Sequence, residues 1–464
     1  MSDSSHRRIV LDVTSLVRWV GPPVGIIRVV HALAMALRGG SPEQLVAFDG
    51  SRGEYRVLDP RWMDTLLGWS GLVDRHLRQA FPRRLASRSG VVMALERLRL
   101  TTDSPMRARV ADRLQRLILA ARAHRFPLED KDGNRIANVP LDLAFGPAMR
   151  FGPDDTLLLA GMGWSYLDTD RLRAIKAASG CRVASLCYDL IPITHPHFYT
   201  AEDREAFAGY WRAILPVLDQ ILVTAEAIRS DLASWCGRLN LEPPPAAIVD
   251  LGYDRPPEDP VEPLPEGQRE GRFALFVSTI EPRKGHATLL AAWQRLLAQN
   301  IPQLHDFRLV FVGRPGWMVD DVLRHLDPPP WGVRHFSGCS DERLASLYRH
   351  AAFCCYPSQY EGYGLPLIEA FARGKAVVSS SGGALPETAG GLAPILDPLD
   401  VEAWAAMLGD WIAHPEQVAA REQDIAAHFH HPDWPAAAAA IIGVLSRPAP
   451  SVGDFRALAG RTYR

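Results

Sequence analysis

Glu361-Gly362-Tyr363-Gly364-Leu365-Pro366-Leu367-Ile368-Glu369 sets two carboxylates on either side of seven intervening residues. The segment follows the apolar run Phe353–Tyr356, so Glu361 falls in a strand-to-helix loop whose glycines expose backbone N–H groups beside it. Pro366 suits the first turn of the helix that follows, where its missing N–H costs little, and places Glu369 about one turn after Leu365. One carboxylate in a loop and one on a helix are suited to binding the hydroxyls of a sugar and of a ribose, and the helix N-terminus offers its dipole to a phosphate. A purely structural loop and cap would explain the same pattern.

These residues need a scaffold, and the chain alternates short apolar strands with amphipathic helices. Strands are expected at Ile9–Asp12, Leu157–Ala160, Val183–Tyr188 and Ile221–Val223, and helices at Val24–Leu37, 171–177 and from Thr200 to about Leu218. Beyond them, 256–271 holds prolines at 256, 257, 260, 263 and 265, which neither a helix nor a central strand tolerates, so it reads as a linker. The alternation then restarts, with strands at Phe273–Val277, Leu309–Val312, Phe353–Tyr356 and Ala376–Ser379 and helices at His286–Gln299, Asp341–His350 and Leu365–Ala372. Two such runs predict an α/β protein of two doubly wound domains, with ligands beyond the carboxyl ends of the strands. The expected division is 1–255, containing a helical basic insertion at about 50–145, the linker 256–271, a second domain 272–432, and 433–464 as a helix returning to the first domain plus a tail.

The 464 residues, 47% hydrophobic and 22% charged, suit such a soluble globular chain. A net charge of −2 argues against a nucleic-acid-binding protein. It conceals a local excess: 75–125 carries 13 arginines and no lysine against Glu96, Asp103 and Asp112. Helices with apolar and basic faces are expected there at 91–98 and 114–119, serving either as a solvated insertion or as a surface for an anionic membrane. Six scattered cysteines form no Cys-x-x-Cys pair, which gives neither a zinc ribbon nor a disulfide framework and points to a reducing compartment. Adjacent Cys354 and Cys355 are expected in the core. A polar Met1–Arg8 and a last apolar run of only 12 residues, Trp434–Leu445, predict a cytoplasmic protein, at most peripheral to the inner face of a membrane.

From Tyr356 to Pro386 the sequence resembles the E-x7-E region of the family-4 retaining glycosyltransferases of GT-B fold. Phe276-Val277-Ser278-Thr279-Ile280-Glu281-Pro282-Arg283-Lys284-Gly285 resembles that family's donor-phosphate loop, and Phe336-Ser337-Gly338 to Tyr348 its nucleotide-base segment. Asp12–Ser15 with Gly21–Val30 resembles its first strand and glycine loop, and Tyr188-Asp189-Leu190-Ile191-Pro192 the segment ending a central strand. Two positions depart from the pattern: Tyr188 stands where many relatives have His, and Thr279 where an Arg is common. Arg283, next to Lys284, would then supply the second cation for a departing diphosphate.

The resemblance implies a nucleotide-sugar-dependent hexosyltransferase, mannosyltransferase-like, with Glu361, Asp189, Arg283 and Lys284 as catalytic residues. Ser278, Thr279, Gly313, Ser337, Gly338, Gly362, Tyr363, Gly364, Leu365 and Glu369 would bind the donor, GDP-mannose or a UDP-hexose, with Glu369 on the ribose. Gly25, Arg28, Tyr188 and His195 would face a glycan or lipid-linked acceptor, and His197 is a neighbouring candidate. No cofactor or metal is expected. Asp168-Thr169-Asp170 matches the metal-holding pattern of a different glycosyltransferase class, but Asp170 serves there as a helix N-cap. A GT-B epimerase acting on a UDP-sugar and a non-catalytic nucleotide-sugar-binding module stay open as alternatives.

Overall fold

A computed structural model of the chain describes residues 7–18, 25–38, 44–50, 52–58, 145–254 and 262–446, with a few positions between 106 and 136. The helices expected at 91–98 and 114–119, and nearly all of the arginine-rich 75–125, lie outside the described residues.

Among the described residues ten strands precede the linker: β1 Arg8–Asp12, β2 Leu45–Asp49, β3 Glu54–Leu58, β4 Leu128–Glu129, β5 Arg135–Ile136, β6 Phe145–Ala148, β7 Asp155–Leu159, β8 Arg182–Cys187, β9 Gln220–Val223 and β10 Ala246–Ile248. Eight of them form a sheet in the order β10-β9-β8-β7-β1-β2-β3-β6, and β4 pairs with β5 alone. Strands β1, β2, β7 and β8 run parallel, whereas β3 and β6 close one edge antiparallel. The sheet thus takes in Glu54–Leu58, inside the stretch expected as a helical insertion, and Phe145–Ala148 at its far end. Tyr55, buried edge-on against Phe48 with ring centroids 5.2 Å apart, joins Val57 and Leu58 in seating β3 on the core. A five-residue strand with one aromatic anchor is a weak sequence signal beside the arginine-rich run that follows it.

Six further strands follow the linker among the described residues: β11 Phe273–Val277, β12 Arg308–Val312, β13 Val333–Phe336, β14 Phe353–Tyr356, β15 Val377–Ser380 and β16 Ile395–Leu396. They form a wholly parallel sheet in the order β13-β12-β11-β14-β15-β16. Its central strands are buried on both faces, which is why β11 and β14 read in sequence as unbroken apolar runs. The helix His286–Ala298 packs on Val401–Ala413, burying Trp293 and Trp404 completely. Each large side chain so buried contributes about 1.5–3 kcal/mol.

The helix of 171–177 begins two residues earlier, at Thr169, and its cap is Asp168 rather than Asp170. The Asp168 carboxylate accepts from the N–H groups of Asp170 and Arg171, while Asp170 pairs with Arg173 at 2.6 Å on the surface. Thr200 caps Ala201–Ile214 as expected, accepting from Asp203 N–H at 3.2 Å, and a 3₁₀ turn at Leu215–Val217 carries the chain onward. Between β10 and β11, the described residues 262–272 form neither helix nor strand.

The chain divides into two compact units. One takes in the described residues within 1–186, 210–221 and 438–446; the other takes in those within 187–209 and 222–437. The second unit holds Tyr188-Asp189, which follow β8, together with Ser278-Thr279, Gly313 and Pro357–Gly364 at the carboxyl ends of β11, β12 and β14. Among the described residues no helix is long and apolar enough to cross a membrane.

Candidate functional site

Beyond β11 the chain makes a short turn, Pro282–Lys284, and enters the helix His286–Ala298 through Gly285 at φ +79°. A Cβ at Gly285 would lie 2.2 Å from the Pro357 carbonyl oxygen, so the turn carrying Arg283 and Lys284 seats directly on the loop after β14. That seating brings both cations onto Glu361. Arg283 Nη1 donates to Glu361 Oε2 at 2.7 Å and to the Tyr360 carbonyl at 2.9 Å, and Lys284 Nζ donates to Glu361 Oε1 at 2.6 Å. Tyr356 at the end of β14 donates its hydroxyl to the same oxygen at 3.3 Å. Arg283 Nη2 also lies 3.3 Å from Glu281 Oε2.

The side chains of Arg283, Lys284 and Glu361 are only 12, 12 and 7% exposed, so their charges act through little water. Burial alone would raise Glu361, but Arg283 and Lys284 override it and hold the carboxyl down at about 2. Burial works the other way on Arg283, yet Glu361 and Glu281 keep its guanidinium firmly protonated. Burial, joined by the adjacent Arg283, pushes the Lys284 ammonium down. Asp189, half-buried at the end of β8, is raised by burial despite the nearby Arg283, and its Oδ1 accepts from Ile191 N–H at 3.0 Å. It interacts electrostatically with Arg283, Glu361 and Lys284, so all four residues expected to be catalytic fall within one cluster.

Backbone contact fixes that cluster. A Cβ on Gly362 would sit 2.1 Å from the Tyr188 carbonyl oxygen, which leaves room there for glycine alone. Thr224, just past β9, lies with its hydroxyl 2.7 Å from the Gly362 carbonyl and 3.2 Å from that of Tyr188. Thr224→Val keeps the shape and removes the donor, leaving the buried Gly362 carbonyl short of a partner, and is expected to cost about 1–3 kcal/mol. A lowered Tm in thermal unfolding checks it.

The other expected donor residues are placed as follows. Gly313 closes against the loop after β11: its Cβ would lie 1.9 Å from the Ser278 oxygen, and its own carbonyl oxygen lies 2.8 Å from His335 Nε2. Ser278 donates to the Thr279 carbonyl at 2.9 Å. Ser337 and Gly338 are exposed in the loop after β13. Gly364, at φ +103°, starts the helix Leu365–Phe371, which carries Glu369 half-buried one turn on. Tyr363 is buried, with its hydroxyl 3.1 Å from His431 Nε2. His195 lies against the Tyr360 ring, centroids 4.2 Å apart, and bonds Thr194 through Nδ1. Gly25 and Arg28 belong to the first unit, at the start of the helix Ile26–Leu37.

Four contributors escape sequence reading: Thr224, Tyr356, Glu281 and Glu387. Glu387 caps the helix Glu226–Arg238 from a distant segment, accepting from the N–H groups of Glu226 and Ala227 at 2.7 and 2.8 Å. Glu281 alone had a sequence signal, a carboxylate two residues before a cation pair. Among the described residues no group of three or more His, Cys, Asp or Glu is placed to hold a metal ion.

Residues 262–446 match the family of glycosyl transferases group 1. The O-antigen chain mannosyltransferase B of Escherichia coli is 38% identical over 159 residues, 32% of this chain and 40% of that protein. The serotype-specific mannosyltransferase WbdA of the same species is 28% identical over 237 residues, 47% of this chain and 28% of that one. The chain thus spans less than half the length of either relative. The solved structure of Anabaena Alr3699/HepE in complex with UDP and glucose shares the fold, at a TM-score of 0.54 and 13% identity over 95% of this chain and all of that one. The chain therefore has the GT-B fold, resembles the group 1 glycosyltransferases over residues 262–446, and is similar in part to bacterial mannosyltransferases.

Proposed function

We propose that the protein is a retaining hexosyltransferase that moves a hexose, mannose first among the candidates, from a nucleotide sugar to a polysaccharide or lipid-linked glycan acceptor. The observation that carries this reading is the convergence of Arg283, Lys284, Glu361 and Asp189 in one buried cluster at the carboxyl ends of parallel strands. The names of the similar proteins favour mannose, and hence GDP-mannose over a UDP-hexose as donor.

In this mechanism the acceptor hydroxyl oxygen bonds the anomeric carbon on the face from which the diphosphate leaves. The C–O electron pair stays with the departing diphosphate, which also takes the hydroxyl proton. Arg283 and Lys284 supply fixed positive charge where negative charge develops, in a site too dry to screen it. Glu361, which spans both cations, passes to the sugar hydroxyls as the phosphates take its partners, and Glu369 binds the ribose. Asp189 faces the acceptor side. Neither step calls for a metal ion or a protein nucleophile.

Incubation with GDP-mannose or UDP-glucose, with and without a mannosyl disaccharide, tests the reading by nuclear magnetic resonance of the products. Transfer predicts release of nucleoside diphosphate that rises with acceptor. Conversion of the nucleotide sugar without acceptor and without diphosphate release would instead support an epimerase.

The proposal extends to where the protein works. The 13 arginines of 75–125 suit an anionic membrane on which a lipid-linked acceptor is presented, from the cytoplasmic side. Binding to phosphatidylglycerol vesicles should weaken steeply with salt and vanish on deletion of 75–125; salt-independent binding, or binding that survives the deletion, contradicts it.

A further inference from the structure

Glu281 is the one charged member of the cluster to which the mechanism gives no role. Its Oε2 is 3.3 Å from Arg283 Nη2, the side chain is 11% exposed, and among the described residues that oxygen receives no hydrogen bond. The loop after β12 covers it: a Cβ on Gly316 would approach its Cγ to 3.1 Å. The charged groups facing Glu281 are Lys284 and Arg283 from its own turn, Glu361 from the loop after β14, and Asp189 from the end of β8. Three carboxylates meet two cations, so the cluster carries one negative charge too many before a diphosphate adds two more.

An excess of like charge in a buried site is relieved by protonating the carboxylate that is held least well. Glu361 is held best, by Arg283, Lys284 and Tyr356. Asp189 has the Ile191 N–H. Glu281 has one slack ion pair, and its partner Arg283 is the group a diphosphate would claim. Burial already raises the Glu281 carboxyl.

We propose that Glu281 takes up a proton when a nucleotide sugar binds, releasing Arg283 to the diphosphate and making donor affinity proton-linked. This rests on the donor site proposed above. Glu281 is a positioning residue in this account, acting through Arg283. The sign follows from linkage: the bound complex holds a proton that the free protein lacks. Affinity is therefore greatest at low pH and falls as pH rises, by at most tenfold per unit.

The test is calorimetric titration of the full chain with GDP-mannose and with UDP-glucose between about pH 6 and 8, where their diphosphates do not titrate. Each titration is run in two buffers of different ionisation enthalpy. The wild-type heat should differ between buffers by about one proton per nucleotide bound. In Glu281→Gln, whose amide imitates the protonated acid, the buffer difference should vanish and the affinity should become flat in pH. Wild-type heats that are the same in both buffers overturn the inference without any variant, and so does proton uptake that persists in Glu281→Gln. Heat from neither nucleotide sugar overturns the donor site itself, and the inference with it.

Discussion

Glu361→Gln is expected to lower the rate of hexose transfer by about 10²–10³-fold, the usual effect of removing one charged or hydrogen-bonding group aimed at the reacting centre. The amide keeps the size of the side chain and still accepts from one cation, so the fold should survive. What it loses is the charge that Arg283 and Lys284 hold at 2.7 and 2.6 Å. Nucleotide affinity should hold or rise, because both cations are then freer to meet phosphate. The signature is thus a fall in kcat without a rise in the Kd for donor. A variant that turns over at the wild-type rate would remove Glu361 from the chemistry, and absence of turnover in the wild type itself would favour the non-catalytic module. Glu361→Ala is a poorer probe, since it strands two buried cations at a cost of about 3–5 kcal/mol.

Gly285→Ala should lower stability strongly. The residue sits at φ +79°, and its new Cβ would meet the Pro357 carbonyl at 2.2 Å. Backbone strain of about 1–2 kcal/mol and overpacking of about 1–3 kcal/mol add, because backbone rather than a pliable side chain blocks the way. Gly374→Ala separates the two contributions. Its φ is +68°, but nothing lies within 4 Å of a Cβ there, so it should show only the strain. Thermal unfolding of both variants checks the difference, on the order of 2–4 °C of Tm for each kcal/mol in a domain of this size. Equal shifts would mean that the loop after β14 yields. Gly285→Ala should also weaken donor binding, because the turn it displaces carries Arg283 and Lys284.

The scaffold was legible wherever one strand or helix declared itself alone. Phe273–Val277, Phe353–Tyr356 and Asp341–His350 fall at the expected bounds because a doubly buried parallel strand is a continuous apolar run and the helix is flanked by a capping Ser340. The loop with Glu361 was legible because two glycines, Gly362 and Gly364, follow a lone carboxylate. What the sequence hides is pairing across distance. Nothing local marks Thr224 as the tie between Gly362 and Tyr188, or Glu387 as the cap of a helix some 160 residues earlier. The double hold of Glu361 on Arg283 and Lys284 depends on Gly285 seating one loop on another, a contact between backbones that no side-chain pattern reports. Asp168 and Asp170 differ by two residues in the same polar run, and only backbone dihedrals decide which of them caps.

Titration of GDP-mannose into the wild-type chain and into Lys284→Ala tests the central claim most directly, that Arg283, Lys284 and Glu361 form the donor site. The account predicts saturable binding to the wild type and an affinity at least tenfold weaker in a variant that remains folded, as befits loss of a charge-assisted phosphate contact worth about 1.5–3 kcal/mol. Equal affinity in the two proteins would contradict it and place the nucleotide elsewhere.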